Sequence, residues 1–437
     1  MQRLEDTTKI ATATANLSPS YVKALQAISP ENAELICDYI LAEITESNIR
    51  DSTKEWKIKV LLYLARSLRH KSFREATKED VLAYLSQLRK PEAKDPKQKW
   101  VGTYNNRVLV YTKFFRWLYN TGESDHRKRV TPPCMKGIKQ LKRREKSPYK
   151  PSDLWTPIEI DLFLRYCPSR RDKCYVAMAL DTSARPHELL ALRIEDIHFK
   201  ANPKSGVQYA EILVSGKTKT RTIPLIYILP YVKDWIAQHP QTGNPKAPLF
   251  PSQSDKNRGT PLKVDGLWWH FKYYKVTYFK RLLGSPDFQA IETDTIKSML
   301  EKPWNPYIFR HTALTEKAQI LKEAMLRDHA GWTTTSKMPA LYLHFFGGES
   351  SKSLLEARGI ISGQEKESSI LQPKCCPNCQ EPNTPHNKFC SKCKMVLTYE
   401  EYATAAPNNI QVDLQDQISE MRAMLNELMA GKGGASR

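Results

Sequence analysis

Only one short stretch of this chain reads as β-structure, and nearly everything else with a clear pattern reads as helix. Tyr209 to Val214 and Thr220 to Leu225 have strand-like composition and flank Ser215-Gly216-Lys217-Thr218-Lys219, a hairpin turn. Cores that strands do not build have to be built by helices, so the fold expected is mainly α with a small β-hairpin or sheet.

The helical pattern falls into two blocks. Ser29-Pro30 opens the first, with serine as the N-cap and proline at the first helical position. Leu35, Ile36, Tyr39 and Ile40 follow on one face, and Trp56 to Leu68 is a second amphipathic run. Thr77 with Asp80 caps a third helix carrying Val81, Tyr84, Leu85 and Leu88. The fourth, Thr103 to Asn120, packs Val108, Tyr111, Phe115 and Leu118 before Thr121-Gly122 stops it. A helical domain is therefore expected over 29–121, preceded by a loose arm over 1–28. Residues 122–150 read as a basic linker: Arg127 to Lys150 holds ten basic residues and one acid, Glu145. Such a run is either a solvated connector or a strap across a DNA backbone. Thr156-Pro157-Ile158-Glu159 then starts a second domain, 151–360, with a capping box. It is expected to stay helical to about Ile197, pass through the hairpin, and resume helix from Val264 to Leu283 and on to about residue 356.

A formal charge of +20 suits a polyanionic partner, because each phosphate neutralised releases condensed counterions; it also suits a merely soluble basic protein. No run of about eighteen apolar residues exists to span a membrane. The N-terminus, MQRLEDTTKI, has no apolar segment of the kind a secretion signal carries. Cys37, Cys134, Cys167 and Cys174 are scattered, as reduced thiols in a cytoplasm would be, so a cytoplasmic, nucleoid-associated protein is expected.

The second domain carries a run of phosphate-handling residues. Thr182-Ser183-Ala184-Arg185-Pro186-His187-Glu188-Leu189 places an arginine just before a helix with an acid three residues on. Lys217 follows at the hairpin tip. Tyr307-Ile308-Phe309-Arg310-His311-Thr312 sets a second arginine in an apolar segment, where a plain solvated charge is out of place. Ala330-Gly331-Trp332 comes next, and Tyr342 stands ten residues beyond Trp332. In this order the residues resemble the tyrosine recombinase (phage integrase) family. Its box begins T-G-x-R-x-x-E-L, and it continues through a hairpin lysine, an H-x-x-R-H box, an L-G-H or G-W step and a nucleophilic tyrosine. The resemblance covers roughly residues 30 to 350, and Ala330 to Pro339 is most similar to archaeal members.

That resemblance implies a site-specific recombinase acting on double-stranded DNA through a 3′-phosphotyrosyl intermediate, with no ATP or catalytic metal. It also implies a core-binding domain over 29–121, a catalytic domain over 151–360, and a tetramer on paired sites. Tyr342 would be the nucleophile and Lys217 the general acid, with Lys219 as its rival. Arg185 and Arg310 would fork onto the non-bridging oxygens, a geometry suited to guanidinium, and Trp332 would donate its indole N–H. Glu188 and His311 either orient the arginines or are structural. Tyr307 departs from the pattern, standing where the family has a histidine; a phenol with a pKa near 10 is a poor base at neutral pH. It is expected to act as a neutral donor or as packing beneath Arg310. Two readings compete with recombination: a catalytically silent DNA-binding protein, and a topoisomerase-like enzyme that uses the same covalent step.

Two further pieces make up the tail. Cys376, Cys379, Cys390 and Cys393 form two C-x-x-C knuckles ten residues apart, a spacing that fits a closed structural zinc site over 374–397 and resembles a zinc ribbon. Over 408–437, Leu414, Ile418, Met421, Leu425 and Leu428 alternate at spacings of four and three, a short a/d seam. That helix either strengthens assembly between protomers or docks on its own chain.

Overall fold

Local capping decides where the helices of the N-terminal part begin. In the computed structural model, which describes residues 2–142, 149–204, 206–216, 220–284, 290–343 and 371–398, Ser29 Oγ accepts the Asn32 N–H at the head of α3 (Pro30–Ser47). Thr77 and Asp80 cap α5 (Lys78–Gln87) reciprocally, at 3.3 and 3.0 Å. Two helices precede these, α1 (Gln2–Ala13) and α2 (Pro19–Gln26), and α4 (Asp51–Leu68) and α6 (Trp100–Tyr119) complete the group. The loose arm expected over 1–28 is thus largely helical. Ala13 and Leu25 are buried, Lys9 pairs with Glu34 at 2.7 Å, and Lys54 donates to the Ala15 carbonyl.

The chain divides into two units, Met1–Pro148 and Tyr149–Arg437. The core of the first is aromatic at its centre: Phe114 meets Tyr39 and Phe73 edge-on at centroid distances of 5.3 and 4.8 Å. Each such side chain, once buried, contributes about 1.5–3 kcal/mol from apolar area alone. Cys134 and Met135 are buried in this core, and Ile138 and Leu141 pack on it. The stretch expected as a linker over 122–150 is therefore partly an integral piece of the first unit. Residues 143–148 lie outside the described residues.

The second unit opens with α7 (Pro157–Tyr166), where Thr156 and Glu159 form the expected capping box. Then come α8 (Arg170–Thr182) and the short α9 (Pro186–Leu190). An antiparallel sheet follows in the order β1 (Ile197–Ala201), β2 (Gln208–Ser215), β3 (Thr220–Leu225). It has one strand more than the hairpin read from sequence, because Ile197 pairs with Ile212 and begins a strand where helix was expected to end. The helices α10 (Leu229–Ala237) and α11 (Val264–Tyr273) come next. A π-turn over Tyr274–Tyr278 leads into α12 (Phe279–Leu282), followed by α13 (Ala290–Glu301). The last helices are α14 (Pro306–Ile320), α15 (Glu323–His329) and α16 (Pro339–Leu343). Mainly helical secondary structure with a small antiparallel sheet is what the pattern predicted.

Trp155, Phe163, Phe279, Trp304 and Phe309 form the centre of the main core, with Trp155 4.8 Å from Trp304 and 5.0 Å from Phe309. One buried polar knot crosses it. Asp172 accepts from Arg171 Nε at 2.8 Å and from the Tyr274 hydroxyl at 2.6 Å, tying α8 to the π-turn. A separate cluster of Leu314, Ala318, Leu326, Ala330, Trp332 and Tyr342 joins α14, α15 and α16. Residues 371–398 carry a two-stranded ladder, β4 (Lys374–Cys375) with β5 (Pro382–Asn383). The seam expected over 408–437 lies outside the described residues.

Candidate active site and metal centre

Helix α14 sets the site. Asn305 accepts the N–H groups of Tyr307 and Ile308 at 3.0 and 3.2 Å, and Pro306 takes the first turn, so the helix starts at a defined place. Arg310 is buried and His311 half-buried one turn into the helix, while Tyr307, at its first turn, is 38% exposed. The ring beside the Arg310 guanidinium is Trp332, at 5.9 Å.

Arg310 is buried and donates from Nη1 to the Ser183 carbonyl and from Nη2 to the Ala330 carbonyl at 2.9 Å. Burial, with Arg185 adding repulsion, lowers its pKa to about 10, which still leaves it charged at neutral pH. A guanidinium has five N–H donors, so two carbonyl bonds leave donors for a phosphate. The Tyr342 ring runs nearly parallel to two neighbouring rings, His311 at 5.8 Å and Trp332 at 5.5 Å, with interplanar angles of 23° and 24°. Its hydroxyl is hydrogen-bonded to His311 Nδ1 at 2.9 Å. Burial raises the Tyr342 pKa to about 12 against the opposing pull of Arg310 and Arg185. His311 is held down to about 4 by burial and by Arg310, so it is neutral at pH 7.

Arg185 caps α9 through its backbone N–H, which donates to Glu188 at 2.9 Å, and its guanidinium reaches the same carboxylate at 2.9 Å. Glu188 is fully buried and also receives Arg221 of β3, at 2.9 Å. Burial alone would raise the Glu188 pKa, but the Arg221 hydrogen bond and the Arg185 backbone bond override it and hold the carboxyl at about 2. The structure thus brings Arg185, Arg310, Trp332 and Tyr342 into one neighbourhood. Lys217 and Lys219 lie outside the described residues.

Sequence reasoning missed Arg221 and Tyr149. Tyr149 donates to Asn305 at 3.0 Å and packs on His311 at 4.6 Å, contacts that only the tertiary fold creates. Arg221 did leave a signal: on β3 it shares the inward face with Ile223 and Leu225, where an unpaired charge would not be tolerated.

Residues 156–345 match the phage integrase family. The matching segment holds Arg185, Arg310, Trp332 and Tyr342, and it excludes the first unit and the cysteine knuckles. Among curated proteins none matches the chain. Among solved structures the chain is similar to XerH site-specific recombinase bound to palindromic difH substrate in a post-cleavage complex. Identity there is 16% over 81% of this chain and 94% of that one, with a TM-score of 0.49. It is also similar to the Tn1549 transposon integrase in complex with transposon right end DNA, at 14% identity over 75% and 99% and a TM-score of 0.48. A lambda integrase dimer bound to a COC′ core site aligns at 13% identity over 71% and 76%, TM-score 0.44. Among the described residues no helix is long and apolar enough to cross a membrane.

The cysteines form a second centre. The sulfurs of Cys376, Cys379, Cys390 and Cys393 all lie within 4.8 Å of one another, with Cys376–Cys393 at 3.5 Å and Cys379–Cys390 at 3.6 Å. A tetrahedron with Zn–S bonds of about 2.3 Å has edges of roughly 3.8 Å, so the four thiolates fit. Both knuckles turn alike. Gln380 and Lys394 take positive φ, of 58° and 64°, and their N–H groups bond to the Cys376 and Cys390 carbonyls. The module sits on its own unit through Lys233–Glu381 at 2.5 Å and His386–Asp161 at 3.1 Å.

Proposed function

We propose that this chain is a tyrosine-type site-specific DNA recombinase whose nucleophile is Tyr342. The observation that carries the reading is the buried Tyr342 hydroxyl, hydrogen-bonded to His311, with Arg310 and Arg185 near enough to favour its ionised form against burial. The family match over the same segment supports it. In the reaction, the Tyr342 oxygen bonds to phosphorus and the bond to the 5′ oxygen breaks. The phosphate remains on Tyr342 as a 3′ ester, and Lys217 protonates the departing oxygen. Arg185 and Arg310 spread the charge of the pentacoordinate phosphorus, and Trp332 adds an N–H donor. The phosphotyrosyl bond conserves the energy of the broken one, so rejoining needs no ATP and no catalytic metal.

The proton on Tyr342 needs a destination, and neutral His311 is the group in contact with it. The two pKa values, about 12 and about 4, stand far apart, which opposes direct transfer by on the order of 11 kcal/mol. A phosphate dianionic in the transition state would raise the His311 value and narrow that gap. Tyr342 is also only 3% exposed, so DNA engagement has to open the α16 side before attack. Tyr307, on the exposed first turn, is free to contribute a hydrogen bond to DNA but is not placed as the base.

Double-stranded DNA is the partner, the first unit with the basic stretch at its C-terminal end grips the backbone, and paired sites assemble protomers, as a tetramer. The four-cysteine centre holds a structural zinc; a closed thiolate shell leaves no coordination position for chemistry. The test of the nucleophile is a nicked suicide substrate: wild type should form a covalent protein–DNA complex, and Tyr342→Phe should bind DNA but form none. An adduct with Tyr342→Phe would move the nucleophile elsewhere. An adduct from wild type that needs no pairing of a defined site would select the topoisomerase-like reading, and none at all the silent one.

A further inference from the structure

The acid of the arginine box carries a single negative charge and receives two guanidiniums. Glu188 Oε1 accepts Arg185 Nη1 at 2.9 Å, while Oε2 accepts Arg221 Nη2 at 2.9 Å, with Arg221 Nη1 3.4 Å from Oε1. Arg185 keeps 20% of its side chain exposed, whereas that of Arg221 is 6% and that of Glu188 fully buried. The paired, desolvated partner of Glu188 is therefore Arg221, and Arg185 is the one turned toward solvent. Arg221 also donates from Nε to the His329 carbonyl at 2.9 Å, and the next carbonyl, Ala330, receives Arg310 at 2.9 Å. Two guanidiniums thus hold consecutive carbonyls just before Trp332. Gly331 has to be glycine for this grip: its φ is +65°, and a Cβ there would stand 2.5 Å from Arg221 Nη1.

We propose that Arg221 is a positioning residue for the phosphate clamp, neutralising Glu188 so that Arg185 keeps its charge available for DNA phosphate, and fixing the His329–Trp332 turn to the sheet. Without Arg221, the buried carboxylate would have Arg185 as its one remaining side-chain partner among those described. Arg185 would then be drawn onto it and lost as a phosphate donor, and an uncompensated buried charge is costly enough to make that capture strong. Arg221 lies four residues past Lys217 in sequence, and through it β3 is bonded both to the Arg185 box, at Glu188, and to the His329 carbonyl next to the one that receives Arg310.

The inference rests on the recombinase reading, and the experiment separates the two. Arg221→Met should lower single-turnover cleavage of a suicide substrate at least 30-fold while the DNA concentration for half-saturation changes less than threefold. Adding Glu188→Gln to Arg221→Met removes the charge that captures Arg185 and should recover at least tenfold of that loss. A purely structural arginine would show no such recovery, because the second substitution removes still more bonding. Arg221→Lys, which keeps the charge, should stay within tenfold of wild type and serves if Arg221→Met does not fold. In parallel, inorganic phosphate binding to the full chain, measured by calorimetry, should weaken at least fivefold in Arg221→Met and return in the double variant. This arm decides the matter even if wild type cleaves nothing, which would defeat only the recombinase reading. Cleavage by Arg221→Met within threefold of wild type, or a folded double variant no better than the single in both assays, would overturn the assignment.

Discussion

Tyr342 and His311 show what burial does to two ordinary side chains. A phenol raised to about 12 and an imidazole lowered to about 4 are both neutral over the whole physiological range, so the site is poised without charge on either. Desolvation is the larger cause for each; Arg310 acts in the same direction on His311, whereas Arg310 and Arg185 act in the opposite one on Tyr342. The histidine shift has a consequence for stability. An unfolded histidine titrates near 6.5. Between that value and about 4 the unfolded chain binds a proton that folded His311 refuses. The stabilisation is therefore complete above about pH 6.5 and is lost as pH falls toward 4, by at most about 3 kcal/mol for a group shifted this far. His329 is lowered to about 4 in the same way and adds to the effect. Urea unfolding of the second unit at pH 7 and pH 5 should show the drop, and His311→Phe should reduce the difference between the two pH values. An unchanged difference in His311→Phe would mean that its imidazole protonates equally well in both states.

At the level of elements, α8 ends on a residue in an unfavourable shape. Ser183 is the C-cap with φ 51° in the left-handed region, and its buried Oγ has no hydrogen-bond partner among the described residues. What the site uses is its backbone carbonyl, which receives Arg310. Ser183→Gly keeps that carbonyl, relieves the left-handed strain and removes an unsatisfied hydroxyl, so it should stabilise the protein by about 1 kcal/mol. A thermal melt reads this as a raised Tm; a lowered one would show that Oγ has a partner in solution. Elements whose signals are local were legible in the sequence: the Ser29 cap and the capping boxes at Thr77 and Thr156 stand where expected. Elements settled by packing were not. α1 carries few apolar residues and α2 is only eight residues long, and it takes the neighbouring helices to bury Ala13 and Leu25. β1 buries only its first residue, so no period-two alternation announces it. In the site, the order of Arg185, Arg310, Trp332 and Tyr342 was readable as a motif. The bond from His311 to Tyr342 depends on how α14 meets α16, and no residue spacing encodes it.

In the whole molecule a small cysteine module is joined to the segment that matches the phage integrase family by the Lys233–Glu381 ion pair and by His386 Nε2, which stands 3.1 Å from Asp161. Too few apolar residues lie between the knuckles to hold a fold of that size, so the metal has to supply the stability. Purified protein should carry about one zinc per chain. Chelation, or Cys379→Ser with Cys393→Ser, should release it and expose residues 371–398 to protease while the first unit melts as before. Zinc-free protein with an equally protease-resistant module would remove the metal from the account.

Tyr342 reaches His311 and Trp332 of its own chain, and this has a genetic corollary. Two defective versions of the protein, one Tyr342→Phe and the other Arg310→Ala, should fail to rescue each other when mixed on DNA. Every protomer in such a mixture would lack either its attacking oxygen or its main guanidinium, and no neighbour could lend the missing part. Restored cleavage in the mixture would mean that the tyrosine leaves home on DNA and serves the chain next door.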